Sequence, residues 1–163
     1  MTAIMTSRIF SLKRILGKIF QTIARLPLVP SFVRNRLYRL LGVNFLDGKS
    51  VFIGENVYFD DARPDLITVG RGVMVTSGVK ILAHFLDTKH VSSPAWPFRF
   101  YDGEVVIGDY VFIGTNAVIA KPVVIGDWAV IGANSVITHD VPAAAIMVGS
   151  PARQVGSRVV GNK

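Results

Sequence analysis

The sequence predicts an all-β fold, a parallel β-solenoid with three flat sides, preceded by a basic helical arm. Three observations carry this. Isoleucine recurs at every sixth position through Ile107, Ile113, Ile119, Ile125, Ile131 and Ile137. Six successive hits in one frame arise by chance on the order of once in a million, so the repeat names the architecture. Second, five of the six isoleucines precede Gly or Ala, and Val, Ala or Ser stands four places after each (Val111, Ala117, Val123, Ala129, Ser135, Val141). A period of six fits neither a 3.6-residue helix nor a lone alternating strand. It fits sides six residues long, three to a coil, with coils stacked at roughly the 4.8 Å strand spacing. The aliphatic residue points into the prism and the small residues fit the corners. Third, residues 1–50 hold nine Lys/Arg and one acid, Asp47, whereas residues 51–163 hold nine Lys/Arg and ten acids. The net charge of +7 therefore belongs to an arm with a composition of its own.

That arm spans residues 1–49. Ile9, Leu12, Leu16, Ile19, Ile23 and Leu26 follow 3/4 spacing and predict a helix over 8–26 with one apolar stripe. Ser11, Arg14, Lys18, Gln21 and Arg25 take another face, and Pro27 and Pro30 end the helix. A second helix is expected from Ser31, as N-cap, to Leu41, with Gly42 as the stop and Val33, Leu37, Leu40 and Leu41 as its apolar side. The solenoid is expected over 50–142. It begins near Val51, with Ile53-Gly54 and Val57 as its first unit. The register slips at the polar, proline-bearing stretch Asp60 to Pro64 and resumes at Val69-Gly70, Val75 and Ile81. From Phe85 to Glu104 the frame is lost, and this stretch, with Pro94, Trp96, Pro97, Phe98, Phe100 and Tyr101, reads as a loop thrown out from the prism (85–104). Interrupting loops in repeat proteins lie on the binding face. The repeat returns at Val105 and runs to Pro142, and a tail follows over 143–163.

Composition excludes several classes. Without cysteine there is no disulfide framework, thiolate metal site or cysteine nucleophile, which suits a cytoplasmic location. The longest charge-free run in the arm, Leu26 to Val33, holds two prolines and falls far short of the ~20 apolar residues a membrane span needs. Arg8, Lys13, Arg14 and Lys18 interrupt any secretory h-region.

The stretch Ile107-Gly-Asp-Tyr-Val-Phe-Ile-Gly, then Val124-Ile-Gly-Asp-Trp-Ala-Val-Ile-Gly-Ala-Asn-Ser-Val-Ile-Thr, Asp140-Val-Pro and Gly149-Ser-Pro-Ala-Arg resemble the hexapeptide-repeat acyltransferases. The likeness is to the sugar and polysaccharide O-acetyltransferase branch that includes the maltose and galactoside acetyltransferases, and it covers roughly residues 50–155. The resemblance implies a left-handed parallel β-helix, a homotrimer with sites in clefts between prisms, acetyl-coenzyme A as co-substrate, no metal, and a sugar or glycan acceptor. Departures are Thr138-His139-Asp140 for the usual Thr-Lys-Asp, Pro122 for a turn Gly, Ser150-Pro151 for Asn-Pro, and Phe112 for a Trp.

Acyl transfer to a hydroxyl needs a base, a held geometry and donors for the developing oxyanion. His84 ends the unit Val79-Lys-Ile-Leu-Ala-His where the loop begins, at a coil edge, and it falls where the resembled enzymes carry their catalytic His. His84 is the expected general base, with His90 as runner-up and a purely structural histidine as the plain alternative. Asp87 is the candidate carboxylate to orient either ring, with a plain turn residue as the alternative, and a backbone carbonyl can do the same job. By resemblance the coenzyme groove runs beside the last coils, past Phe112, Thr115, Ala133 and Asn134, with His139 and Arg153 near its phosphates. Small corner residues are also what the fold itself requires. Trp96, Phe98 and Tyr101, with Arg99 and His90, suit a sugar acceptor, and equally suit packing of the loop on a neighbouring subunit.

Three readings stand for the arm: it caps the open prism end or packs on other arms, it lies on anionic lipid through residues 8–41 at the inner face of the cell membrane, or it binds nucleic acid. Nothing beside it resembles a nucleic-acid reading module, so no nucleic acid is expected. No Gly-x-Ser-x-Gly elbow is present, so no acyl-enzyme is expected. Two rival functions remain: a non-catalytic scaffold at the membrane, and a zinc carbonic anhydrase-like protein with a three-histidine site. For the latter, His139 lies far from His84 and His90 in coil count.

Overall fold

A computed structural model describes residues 12–90 and 97–159. Two helices, α1 (Leu12–Arg25) and α2 (Ser31–Leu41), precede a left-handed parallel β-helix of three-sided coils. The first side stacks β1 (Asn44–Phe45), β4 (Ile67–Val69), β9 (Val105–Ile107) and β12 (Val123–Ile125). The second stacks β2 (Phe52–Ile53), β5 (Met74–Val75), β10 (Phe112–Ile113), β13 (Val130–Ile131) and β15 (Ala145–Gly149). The third stacks β3 (Tyr58–Phe59), β6 (Lys80–Ile81), β11 (Val118–Ile119) and β14 (Val136–Ile137). The solenoid thus opens at Asn44, earlier than the spacing of isoleucines indicates, because Phe45 substitutes for an aliphatic rung beneath Val69. It also runs past Pro142: β15 continues the second side, and the tail then folds back on it as β16 (Ala152–Ser157), antiparallel.

All six ladder isoleucines point into the prism and are buried. They form vertical columns, such as Phe59, Ile81, Ile119 and Ile137 on the third side. Each such side chain contributes about 1.5–3 kcal/mol by leaving water. The glycine after an inward isoleucine lies against the next coil's backbone. A Cβ on Gly114 would sit 2.6 Å from the amide nitrogen of Ala133, closer than any carbon can approach. Corners turn through left-handed residues: Asn56, Gly78, Asn116 and Asn134 between sides two and three, and Gly72, Tyr110, Trp128 and Ala144 between sides one and two. Asn tolerates this conformation; Tyr110 and Trp128 hold it while their rings stack 4.2 Å apart.

The arm caps the first coil, through polar groups. Arg34 is buried and donates to the carbonyls of Ala24 (2.9 Å), Ile53 (3.1 Å) and Leu26 (2.8 Å). Asn35 donates to Gly48 and Val51 carbonyls at 2.8 and 2.7 Å, and the Tyr38 hydroxyl to the Val57 carbonyl at 2.6 Å. Ser31 is the first helical residue rather than the N-cap, which is Pro30, and its hydroxyl accepts from the Ile53 amide at 2.8 Å. Gly42 ends α2 in the left-handed region, as expected. The expected apolar side of α2 is only partly inward. Leu37 and Leu41 pack on the core but Leu40 is 69% exposed. In α1 the buried residues are Gln21 and Ala24, while Leu16, Ile19 and Ile23, and Leu26 just past its end, are exposed; the part of the 8–26 prediction before Leu12 lies outside the described residues. The reason is the target: the end of a β-helix is a rim of backbone carbonyls and amides, and buried backbone groups must be paired.

Replacing Arg34 by Ala leaves several carbonyls without donors. Unfolding free energy is expected to fall by about 3 kcal/mol, measured by urea denaturation. A change within about 0.5 kcal/mol, the range of ordinary surface substitutions, would refute the capping role.

Candidate functional site

The 20-residue interruption is a β-hairpin with its base on the prism. Val69, Val75 and Ile81 pair directly with Ile107, Ile113 and Ile119, so the chain leaves the third side and re-enters the first in perfect register. Between them β7 (His84–Asp87) pairs antiparallel with β8 (Arg99–Asp102), with His84 opposite Asp102, Phe85 opposite Tyr101, Leu86 opposite Phe100 and Asp87 opposite Arg99. The side chains of His84, Leu86, Phe100 and Asp102 therefore share one hairpin face, and those of Phe85, Asp87, Arg99 and Tyr101 the other.

His84 is held from three directions. The amides of Ala83 and His84 both donate to one oxygen of Asp60 at 2.9 Å, and the other Asp60 oxygen accepts from the Ala62 amide at 2.9 Å. Asp60 is buried, so the polar stretch read as a break in the prism holds the strap that fixes His84's backbone. The His84 ring stacks on Phe100, 4.9 Å between centroids and 10° from parallel. Its Nδ1 lies 2.8 Å from Asp102 Oδ1. The second Asp102 oxygen accepts from the guanidinium of Arg63, which also binds Asp65. The hydrogen bond from His84, and after it the bond from Arg63, hold the Asp102 carboxyl below the usual carboxylate range. An ionised carboxylate only accepts, so Nδ1 carries a proton, and the neutral form of the ring has its lone pair on Nε2. The imidazole is 37% exposed.

The carboxylate beside His84 is thus Asp102, not Asp87. Asp87 sits three residues along β7, roughly 10 Å away by strand rise. It binds His90 Nδ1 at 2.9 Å and accepts from the amides of Lys89 and His90, which lower its pKa, Lys89 first. His90 and Asp87 form a second pair toward the hairpin tip, with the His90 ring more exposed than that of His84. Tyr101 packs on Phe85 (5.5 Å) and accepts from Lys121 (3.2 Å), and it and Arg99 lie on the hairpin face opposite His84. The aromatic beside His84 is Phe100. Trp96 lies outside the described residues.

The remaining residues lie elsewhere on the prism. Thr115, Ala133 and Asn134 are exposed at the corner between sides two and three; the Thr115 hydroxyl meets that of Thr76 at 3.3 Å. Phe112 is half-buried on the outer face of side two, and Arg153 is exposed on β16 with its guanidinium on the Ala152 carbonyl. His139 is exposed at the corner between sides three and one, two coils beyond His84, with its Nδ1 2.9 Å from the Thr138 hydroxyl. Within one chain, side three separates His84 from the Thr115–Asn134 corner. Among the described residues no three His, Cys, Asp or Glu side chains group to hold a metal ion.

The sequence reading missed Asp60, Arg63, Phe100 and Asp102. Asp102 was findable only by folding the loop into a hairpin with both ends tied to neighbouring rungs.

Comparison with known proteins places the fold. Residues 104–139 match the family described as bacterial transferase hexapeptide (six repeats). Protein CapG of Staphylococcus aureus is 44% identical over 102 residues, 59% of this chain; the chain spans about half, 55%, of that relative's length. The crystal structure of the hexapeptide-repeat-containing acetyltransferase VCA0836 from Vibrio cholerae superposes with a TM-score of 0.67 at 28% identity, covering 89% of this chain and 90% of that one. The same protein complexed with acetyl-coenzyme A gives a TM-score of 0.66 at 28% identity over 89% and 86% of the two chains. A maltose O-acetyltransferase from Clostridium difficile 630 gives 0.59 at 25% identity, again over 89% and 86%.

The lowered pKa of Asp102 gives a signed test. A depressed folded-state pKa stabilises above the unfolded value of about 3.9 and loses that stabilisation as pH falls through the folded value. The melting-temperature difference between wild type and Asp102→Asn is expected to be constant at neutral pH and to shrink below about pH 4. A difference independent of pH would remove the ionised contact.

Proposed function

The chain carries the hexapeptide-repeat fold of these acetyltransferases, and from that premise we propose that it transfers an acetyl group from acetyl-coenzyme A to a hydroxyl of a sugar or surface-polysaccharide precursor. The observation that carries the reading is the His84–Asp102 pair at 2.8 Å, across the base of the hairpin. Complex formation with acetyl-coenzyme A in the Vibrio protein supports the donor. The name of the Clostridium enzyme supports the acceptor class.

In this mechanism donor and acceptor are held together, so that the reaction is effectively unimolecular. Nε2 of His84 takes the proton of the acceptor hydroxyl as its oxygen attacks the thioester carbon. Asp102 stabilises the imidazolium that forms, and Arg63 keeps Asp102 aimed. A backbone amide donates to the oxyanion. The carbon–sulfur bond then breaks, the proton passes from Nε2 to sulfur, and coenzyme A leaves as the thiol. Phe100 fixes the plane of the imidazole, and the hairpin face it shares with His84 receives the acceptor.

The reading includes a homotrimer. The base lies at one corner and the coenzyme-binding residues Phe112, Thr115, Ala133, Asn134 and Arg153 lie across side three from it. A neighbouring prism brings the second set to the first. The outer face of side two supports such packing, since Phe52, Met74 and Phe112 stand in register there and the first two are exposed.

His84→Ala is expected to lower acetyl transfer by at least ~10²-fold while calorimetry shows acetyl-coenzyme A binding retained. Asp102→Asn is expected to lower kcat, and Asp87→Asn to leave it near wild type. Unchanged turnover in His84→Ala would transfer the base role to His90. The acceptor is sought by mass spectrometry of surface glycans with and without the gene, as a lost acetyl group.

A further inference from the structure

We propose that the helical arm binds an anionic membrane surface, with α1 lying flat on the lipid. The observation is an apolar stripe turned away from the protein. Leu16, Ile19, Ile23 and Leu26 are 41%, 47%, 40% and 50% exposed. The 3/4 spacing places Leu16, Ile19 and Ile23 in one row along a helix about 21 Å long, and Leu26 follows just past its end. The opposite side is already used: Gln21 and Ala24 are buried, and a Cβ on Gly17 would lie 3.2 Å from Leu41. The cap on the prism is made by Arg34, Asn35 and Tyr38, so the stripe has no task in closing the solenoid.

Charge selects the occupant. Residues 1–46 contain eight Lys/Arg and no Asp or Glu. Exposed Lys18 follows the stripe on α1. On α2, Arg36 is exposed between Phe32 and Leu40, one turn to either side, both exposed. Rows of exposed apolar side chains interleaved with cations match a lipid boundary, acyl chains below and anionic headgroups beside them. A second arm is a poorer occupant, because pairing two arms brings like charges together with no carboxylate to answer them. No described helix is long and apolar enough to cross a membrane, so the contact is interfacial.

The test is co-sedimentation of the full chain with vesicles of phosphatidylcholine alone and of phosphatidylcholine with phosphatidylglycerol in equal parts. Binding is expected to the anionic vesicles only, weakening as salt rises. Ile19→Glu/Ile23→Glu alters exposed positions, keeps the circular-dichroism spectrum, and is expected to lose binding by more than ~10-fold. Lys18→Glu/Arg36→Glu is expected to lose roughly 10-fold through headgroup attraction alone. His84→Ala is expected to bind vesicles like wild type, which separates this inference from the proposed chemistry. Wild-type protein that stays in the supernatant overturns the proposal. So does an Ile19→Glu/Ile23→Glu variant that binds vesicles normally but sediments as a smaller oligomer, which would assign the stripe to a second copy.

Discussion

The hydrogen-bond ladder between stacked coils is the constraint on which everything else rests. Parallel strands two or three residues long contribute little singly, and they hold only because each inward rung sits directly on the one before it. A slip of one residue would turn the buried isoleucines outward. Any chain inserted into a coil must therefore return to the rung it left. The hairpin does this: Ile81 still lies under Ile119 and Val69 under Ile107, although the whole of β7 and β8 intervenes. Two strands that leave and rejoin the prism at one corner, on consecutive coils, are forced side by side. That is why His84 and Asp102, eighteen positions apart, meet across the hairpin base.

The same ladder creates a problem at the ends. A stacked coil satisfies its neighbour's backbone, but the first coil has no predecessor. Apolar residues would cover its rim and leave its carbonyls unpaired, at the cost that any buried, unpartnered polar group carries. Arg34, Asn35 and Tyr38 answer that chemistry with donors, and Ser31 supplies an acceptor for the Ile53 amide. The inner face of α2 consequently sets Arg34, Asn35 and Tyr38 beside Leu37 and Leu41. At the far end the chain uses another device, folding β16 back antiparallel on β15.

This separates what was legible in the sequence from what was not. The prism was legible because a sixfold isoleucine frame and glycines at backbone contacts have a single geometric solution. His84 was legible as the last residue before the frame breaks. Asp102 was not, because pairing His84 with it depends on hairpin register. The strands His-Phe-Leu-Asp and Arg-Phe-Tyr-Asp do not alternate cleanly, and no short Asn-Gly turn marks the connection. Asp87 was the nearer acid in sequence and binds the nearer histidine, His90. Asp60 read as a surface break because a buried carboxylate is rare unless paired. Its partners are backbone amides, which leave no trace in composition. The apolar side of α2 was legible only in part, and the stripe of α1 was left open, for a related reason: periodicity reports which residues share a face, not whether that face meets an apolar core, a polar rim or something outside the chain.

These features link the arm to the site through rigid structure. α2 binds the carbonyls of Val51, Ile53 and Val57 and so fixes the first coil. The turn leaving that coil carries Asp60, which holds the backbone of His84, and Arg63, which holds the carboxylate of Asp102. The imidazole is then positioned by two residues from the coil that the arm closes and by two, Phe100 and Asp102, from the hairpin strand. A hairpin alone would leave the His84–Asp102 pair free to sway with its tip. Anchoring both partners to the closed coil removes that freedom. The cap and the inserted hairpin, which interrupt the repeat at opposite places, act on the same few atoms.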